Sequence, residues 1–244
     1  MSVGSDTRVD GDRSGRAILQ LHGVGMRYGS GDEVLRDIDL TINAGTFHYL
    51  VGPSGAGKTS LLRLMSLSAA PSRGNVVLFG RDVALVERDE LGRLRRRIGV
   101  VFQDFRLLDH LSAFDNVALP LRIGGADEEQ ISTYVSQMLG WLGLAERMEA
   151  KPAQLSMGQR QLVTVARAVI TRPDLLLADE PTSNVEPARV ERLMFLFSEL
   201  HRLGTAVVLA THSRELIRRW PFPVLHMERG RLIRPVPADR TAAE

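Results

Sequence analysis

The chain has 244 residues, of which 44% are hydrophobic and 25% are charged, and its formal net charge is +2. These values are typical of a globular domain with a sizeable core, and so small a charge gives no support for a nucleic-acid partner. The sequence contains no cysteine, which excludes disulfides, thiolate metal sites and cysteine nucleophiles.

Both ends of the sequence are polar and lack periodicity. Residues 1–16 and 236–244 are therefore predicted to be tails, the first of them disordered. The N-terminal residues lack the apolar core of a signal peptide, and no apolar run approaches the ~20 residues that cross a bilayer. We expect one domain over residues 17–235, either soluble or attached to a membrane only through another molecule.

Two apolar stretches at the start of this domain predict strands. Residues 17–28 and 35–42 are rich in alternating apolar side chains, and a Gly-Ser-Gly turn at residues 29–31 separates them. The pattern is typical of an antiparallel pair. Tyr28 stands at the end of the first strand, where an aromatic residue more often packs than contacts a ligand.

The stretch from Gly52 to Thr59 fits the phosphate-binding pattern G-x-x-x-x-G-K-[ST], between a predicted strand at residues 47–51 and a predicted helix. Glycines let the backbone approach phosphate oxygens at a helix N-terminus. Lys58 is expected to reach the β- and γ-phosphates, and the Thr59 hydroxyl to ligate Mg²⁺. The residues predicted to bind the nucleotide are Gly52, Pro53, Ser54, Gly55, Ala56, Gly57, Lys58, Thr59 and Ser60.

The middle of the chain changes from strands to helices. Residues 75–79 and 98–102 predict strands, whereas residues 107–173 show only helical periodicity. The helical part is expected to break at Pro120 and Gly124, and Asp127 and Ser156 are expected to cap two later helices.

An apolar run followed by two acids predicts the second half of a nucleotide site. Residues 175–178 read as a strand buried on both faces, and Asp179 and Glu180 follow it. Asp179 is expected to hold Mg²⁺, and Glu180 to polarise the attacking water. A further strand at residues 205–210 leads to His212, and a hairpin follows at residues 224–233.

The sequence Leu155-Ser156-Met157-Gly158-Gln159, upstream of these acids, resembles the signature L-S-G-G-Q of the ATP-binding cassette (ABC) ATPases. The resemblance covers about residues 17–235. It implies an α/β P-loop fold with a mixed central sheet flanked by helices. It also implies an antiparallel β-subdomain at residues 17–45 and an α-helical subdomain at residues 107–173.

The resemblance also implies roles for residues that the motifs alone leave open. Gln103 matches the glutamine that ligates Mg²⁺ and senses a membrane partner, His212 matches the histidine at the γ-phosphate, and Tyr28 matches the aromatic that stacks on adenine. The implied cofactors are ATP and Mg²⁺. The implied catalytic residues are Lys58, Glu180 and His212; the metal ligands are Thr59, Gln103 and Asp179; and the further nucleotide contacts are Tyr28, Ser156, Gly158, Gln159 and His212.

The family resemblance implies partners as well. Two copies are expected to close head to tail around two ATP molecules, with Ser156 and Gly158 of one copy facing the P-loop of the other. Motion is then passed to a polytopic membrane protein, which places the chain at the cytoplasmic face of the plasma (inner) membrane. A soluble ABC ATPase that does not serve transport, and an ATP-binding module with impaired hydrolysis, are the more distant alternatives.

Within the family, the resemblance is strongest to the FtsE group of cell-division ATPases, which work with the membrane protein FtsX. It rests on residues 102–108, 115–121, 176–182 and 210–212. In this interpretation the output is control of cell-wall hydrolases. ATPases of lipoprotein-release or macrolide-export systems share several of these residues and are the alternative.

Three residues depart from the family pattern. Met157 replaces the first signature glycine, Glu186 replaces the aspartate of the D-loop (residues 183–186), and Leu162 replaces an arginine of the signature helix, which follows the signature residues. These positions belong to the elements that complete the site of a second copy. The departures therefore bear on dimer closure more than on ATP binding.

Overall fold

A computed structural model of the protein describes residues 15–236. Its strands are β1 (Ala17–Arg27), β2 (Glu33–Asn43), β3 (Phe47–Val51), β4 (Arg73–Leu78), β5 (Arg81–Asp82), β6 (Ile98–Val101), β7 (Leu175–Asp179), β8 (Ala206–Ala210), β9 (Val224–Glu228) and β10 (Arg231–Val236). Its α-helices are α1 (Lys58–Met65), α2 (Arg88–Arg96), α3 (Ala113–Ile123), α4 (Glu128–Trp141), α5 (Met157–Val169), α6 (Pro187–Arg202) and α7 (Arg214–Arg219). The tails predicted at residues 1–16 and 236–244 lie outside the described residues, apart from residues 15, 16 and 236.

The first sheet is antiparallel, with the strand order β2-β1-β4-β5. Leu19 of β1 pairs with Ile42 on one side and with Leu78 on the other. The structure thus confirms the antiparallel pair that precedes the P-loop. It adds β5, which has two residues and is too short for periodicity to reveal.

The second sheet has six strands in the order β10-β9-β3-β8-β7-β6, and every neighbouring pair except β9–β10 is parallel. Every residue of β7 and β8 is buried, which explains their continuous apolar sequences. Because parallel strands end at the same edge of a sheet, the segments after β3, β6, β7 and β8 meet there. These segments carry the P-loop, Gln103, Glu180 and His212.

Hydrophobic clusters lie on both faces of this sheet, and β3 contributes to each by strand alternation. Phe47 and Tyr49 pack in the cluster that includes α3–α6. Leu50 packs in the cluster that includes α1 and the antiparallel sheet. The helices between β6 and β7 therefore share one core with the central sheet.

The helical region agrees with its prediction in content but not at one expected break. Between Val101 and Leu175, all of which the structure describes, there are helices and short 3-10 turns but no strand. Gly124 is the C-cap of α3, which confirms the expected end of this helix, but Pro120, also expected to break it, lies inside α3. A proline removes one helix hydrogen bond, and the bond from Gly124 N to Pro120 O still closes the last turn.

In residues 15–236, no helix combines the length and the apolar character that crossing a bilayer requires.

Two histidines make the stability of this fold depend on pH. Nδ1 of His48 and Nδ1 of His201 are buried and have no hydrogen-bond partner among residues 15–236. Burial lowers the pKa of both imidazoles, and repulsion from His201 lowers the pKa of His48 further. Since unfolded histidine has a pKa of about 6.5, the unfolded chain takes up protons at a higher pH than the folded chain.

We therefore expect the free energy of unfolding to fall as the pH is lowered below about 6.5, the pKa of unfolded histidine, and to be insensitive to these histidines above about pH 7. Urea denaturation at a series of pH values measures this. Replacing His48 and His201 with glutamine should flatten the slope, and His22→Gln, at an exposed position, is the matched control. A stability that rises on acidification in this range would contradict the assignment.

Candidate functional site

The predicted phosphate-binding loop connects β3 to α1. The φ angles of Gly52, Gly55 and Gly57 are 153°, 77° and 103°, which confirms the predicted need for glycine. A Cβ at Gly52 would collide with the carbonyl oxygen of Met227 in β9. Pro53 and Ser54 form the exposed tip of the loop with Gly55, whereas Ala56 is buried beneath it. The loop backbone is therefore presented at the sheet edge and its base is packed.

Lys58 is the first residue of α1, and its ammonium group lies against the loop. Nζ donates to the carbonyl oxygens of Gly52 at 2.7 Å and of Pro53 at 3.1 Å. These two bonds hold the positive charge next to the backbone N–H groups of the loop. The arrangement concentrates hydrogen-bond donors and positive charge where a phosphate can bind.

Tyr28 lies beside the first turn of α1. Its hydroxyl donates to Oγ of the buried Ser60 at 3.2 Å, while the residue remains 47% exposed. One end of the ring is anchored and the rest is open, so the ring can stack on a planar base. The prediction that Tyr28 contacts the nucleotide thus has a suitable geometry.

Thr59 and Asp179 face each other across the end of the sheet. Oγ1 of Thr59 donates to Oδ2 of Asp179 at 2.7 Å, and Asp179 is buried. Gln103 lines the same cleft, which has a volume of about 180 Å³. A hydroxyl, a carboxylate and an amide oxygen are ligands that suit Mg²⁺, which also takes phosphate oxygens and waters.

No group of three or more His, Cys, Asp or Glu side chains in the described part of the chain could hold a metal ion. The hydroxyl of Thr59, the carboxylate of Asp179 and the amide oxygen of Gln103 nevertheless fit the predicted cofactor pair of ATP and Mg²⁺.

Glu180 and His212 form a second pair at this edge. Oε1 of Glu180 lies 2.8 Å from Nδ1 of His212. The Glu180 side chain is only 14% exposed, whereas the His212 side chain is 77% exposed. Glu180 has a φ of 49°, an uncommon value for a residue other than glycine, and its N–H donates to the carbonyl of Ala210. The carboxylate is thus held in a fixed position beside an exposed imidazole.

Hydrogen bonds from α5, the signature helix, hold the loop after β6 in place. Phe105 and Arg106 have φ angles of 56° and 49°, and their carbonyl oxygens accept from the Arg167 guanidinium at 2.9 and 2.7 Å. Arg106 also pairs with Asp104, with 3.0 Å between Nε and Oδ1. This network fixes the backbone that carries Gln103 relative to α5.

The signature residues, Leu155 to Gln159, do not line the cleft at Thr59. Ser156 caps α5, and Ser156 and Gln159 form a reciprocal capping box. Met157 is 55% exposed. A Cβ on Gly158 would lie 2.6 Å from the carbonyl oxygen of Asn184, so the signature packs directly on the D-loop.

The structure therefore brings together some predicted residues and separates others. It places Tyr28 beside Ser60, Thr59 beside Asp179 and Gln103, and Glu180 beside His212. Ser156, Met157 and Gly158 line a separate groove of about 260 Å³ that shares no residue with the cleft at Thr59. Within one copy of the chain, the signature residues do not line that cleft.

Sequence reasoning missed four residues that line the cleft at Thr59. They are Arg63, Phe102, Asp104 and Arg106. Arg63 lies one turn after Thr59 on α1, and its Nε is buried with no hydrogen-bond partner in the described part of the chain. Helical spacing from Thr59 could have identified Arg63, but the ion pair between Asp104 and Arg106 depends on the left-handed backbone of the loop.

Comparison with known proteins places the chain among cassette ATPases. The sequence profile of the family described as "ABC transporter" matches residues 35–183. The chain is 36% identical over 217 residues to the cell division ATP-binding protein FtsE of Bacillus subtilis, covering 89% of this chain and 95% of the relative. It is 39% identical over 215 residues to FtsE of Escherichia coli, covering 88% and 97%.

The methionine import ATP-binding protein MetN of Vibrio vulnificus is 40% identical over 200 residues, covering 82% of this chain. The chain spans 58% of the length of that relative. Among solved structures, the dimeric ATP-binding cassette MJ0796 bound to ADP and Pi superimposes with a TM-score of 0.84 at 31% identity. That superposition covers 90% of this chain and 98% of the other.

Proposed function

Because this chain belongs to the ABC transporter family and is an ATPase of that family, we propose that it acts as a head-to-tail homodimer that closes on ATP and drives a separate membrane protein. The observation that carries the proposal is the separation of the cleft at Thr59 from the groove at Ser156. A single copy holds one complete phosphate-binding half and one unused signature half. Two copies related by two-fold symmetry would join each half to its complement.

In this proposal the residues around the cleft have separate roles in binding and hydrolysing ATP. The P-loop N–H groups and Lys58 bind the β- and γ-phosphates, and Tyr28 stacks on adenine. Thr59, Asp179 and Gln103 would hold Mg²⁺, which would neutralise charge on the phosphates. Glu180 orients and deprotonates the attacking water, and His212 contacts the γ-phosphate.

The groove lined by Ser156, Met157 and Gly158, here called the signature groove, makes dimer closure depend on the bound nucleotide. Ser156 and Gly158 of one copy contact the γ-phosphate on the other, and these contacts exist only in the closed dimer. ATP therefore favours closure, and loss of phosphate favours opening, because each nucleotide state biases the same interface.

For the membrane partner we propose an FtsX-like polytopic protein at the cytoplasmic face of the plasma membrane, with cell-wall hydrolysis in division as the output. Support comes from the similarity to two FtsE proteins and from the resemblance of residues 102–108 and 115–121 to the FtsE group. A solute importer is the second candidate, because MetN is 40% identical over 200 residues.

Affinity purification from detergent-solubilised membranes distinguishes the two candidates. The Glu180→Gln variant with ATP serves as bait, since it is expected to remain closed on its partner, and Lys58→Ala serves as the control bait. Enrichment of a four-helix FtsX-like protein supports the division role. Enrichment of a permease of a solute-import system contradicts the division role and supports the second candidate, a solute importer.

A further inference from the structure

Arg189, in the first turn of α6, lines the signature groove. The groove is bounded on one side by Ser156, Met157 and Gly158, and on the other by the D-loop and Arg189. The Arg189 side chain is 29% exposed, so part of the guanidinium side chain is accessible from the groove. It is the one cationic residue among those lining this groove, all of which lie in the described part of the chain.

The only acid paired with Arg189 among the described residues holds it weakly. Glu186 approaches with 3.6 Å between Oε2 and Nε, and the Glu186 side chain is 76% exposed. An ion pair of this length with a hydrated carboxylate is easily exchanged for another anion. The same α6 helix carries a tighter pair at the same spacing, Glu199–Arg202 at 2.8 Å.

The two walls of the groove are joined. The Asn184 carbonyl packs so closely on Gly158 that no side chain fits between them, and Asn184 adopts a left-handed φ of 61°. The start of α5 and the D-loop are thus in direct contact beside Arg189. Whatever approaches Ser156 from outside therefore approaches Arg189 as well.

We infer that Arg189 is a nucleotide-binding residue that acts across the dimer interface, contacting the γ-phosphate of the ATP held by the partner copy. This inference rests on the proposed head-to-tail dimer. A guanidinium presents paired N–H donors that match phosphate oxygens, and it keeps its charge at every physiological pH. Met157 brings only an apolar side chain to the same groove, so Arg189 is the positively charged group there that can contact a phosphate.

The test measures the ATP concentration at which the dimer forms, by light scattering, in the Glu180→Gln background with Mg²⁺ present. Adding Arg189→Gln should raise the midpoint at least about 10-fold, as expected for loss of a charge-assisted hydrogen bond. Arg202→Gln, which breaks the equivalent pair at the far end of α6, is the matched control and should leave the midpoint unchanged. ADP affinity, measured by calorimetry, should be the same in all variants, because Arg189 does not contact the nucleotide of its own copy.

The outcomes separate this inference from the proposed dimer. An ATP-dependent dimer whose midpoint is the same with Arg189→Gln overturns the role of Arg189 and leaves the dimer standing. A midpoint raised equally by Arg202→Gln also overturns it, because the effect would then come from α6 as a whole. A Glu180→Gln protein that stays monomeric at saturating ATP overturns both.

Discussion

Replacing Glu180 with glutamine is expected to slow ATP hydrolysis by about 10²- to 10⁴-fold while leaving ATP binding intact, so that the protein accumulates as an ATP-bound dimer. Glutamine has nearly the same size and can keep the contact with Nδ1 of His212, which the carboxylate makes at 2.8 Å. It cannot accept a proton from water. The substitution therefore removes the base and preserves the shape of the site.

Phosphate release and light scattering with Mg²⁺-ATP measure the two halves of this prediction. Glu199→Gln on α6 is the matched control, because Glu199 pairs with Arg202 away from the cleft. Wild-type turnover in the Glu180 variant would exclude Glu180 as the base. If the Glu180→Gln variant hydrolyses ATP slowly but remains monomeric, the assignment of Glu180 as the base stands and the head-to-tail dimer is contradicted.

Replacing Lys58 with alanine is expected to lower ATP affinity by at least about 100-fold and to abolish hydrolysis. The ammonium group is the cation that the loop holds by hydrogen bonds to the carbonyls of Gly52 and Pro53. Its loss removes the charge that balances the β- and γ-phosphates and two bonds that order the loop. Calorimetric titration with ATP in the presence of Mg²⁺ measures the change.

The chain provides its own control for this variant. Lys151, before a short 3-10 turn, is exposed and is the only other lysine in the sequence. Lys151→Ala should bind ATP with wild-type affinity. If Lys58→Ala also retained that affinity, the assignment of residues 52–59 as the phosphate-binding loop would be wrong.

The local parts of the site could be predicted because each is encoded within a few residues. The spacing of Gly52, Gly57 and Lys58 determines a strand–loop–helix unit, and Ser156 with Gln159 determines a capped helix start. The apolar run before Asp179 identified a buried strand. Each of these patterns depends on backbone geometry within one turn or one strand.

The order of the strands could not be predicted, because it depends on contacts between distant parts of the chain. β3 is adjacent to β8 and β9 rather than to the strands nearest it in sequence. The same limit applies to the packing of Gly158 on Asn184 and to the place of Arg189 beside Ser156. Those contacts arise only when α5 and α6 pack on one sheet.

Pro120 shows a third limit of prediction from the sequence, because a local rule about proline can be overridden by packing. A proline in the middle of a helical pattern usually ends the helix. Here α3 packs against α4 and α5 through Val117 and Ala118, which are fully buried. Burial of that face outweighs the loss of one hydrogen bond, and the helix continues for three more residues.

The position of β3 also affects when, during synthesis, the nucleotide site can fold. Both neighbours of β3 come from the far end of the chain, with Phe47 paired to Val207 and Val51 paired to His226. At ribosomal rates, those partners emerge on the order of ten seconds after β3 itself. Long-range parallel pairing of this kind is also slow to form. We therefore expect ATP binding to be acquired only after β9 has been translated and has closed the sheet beside the loop, and not when the loop itself is translated.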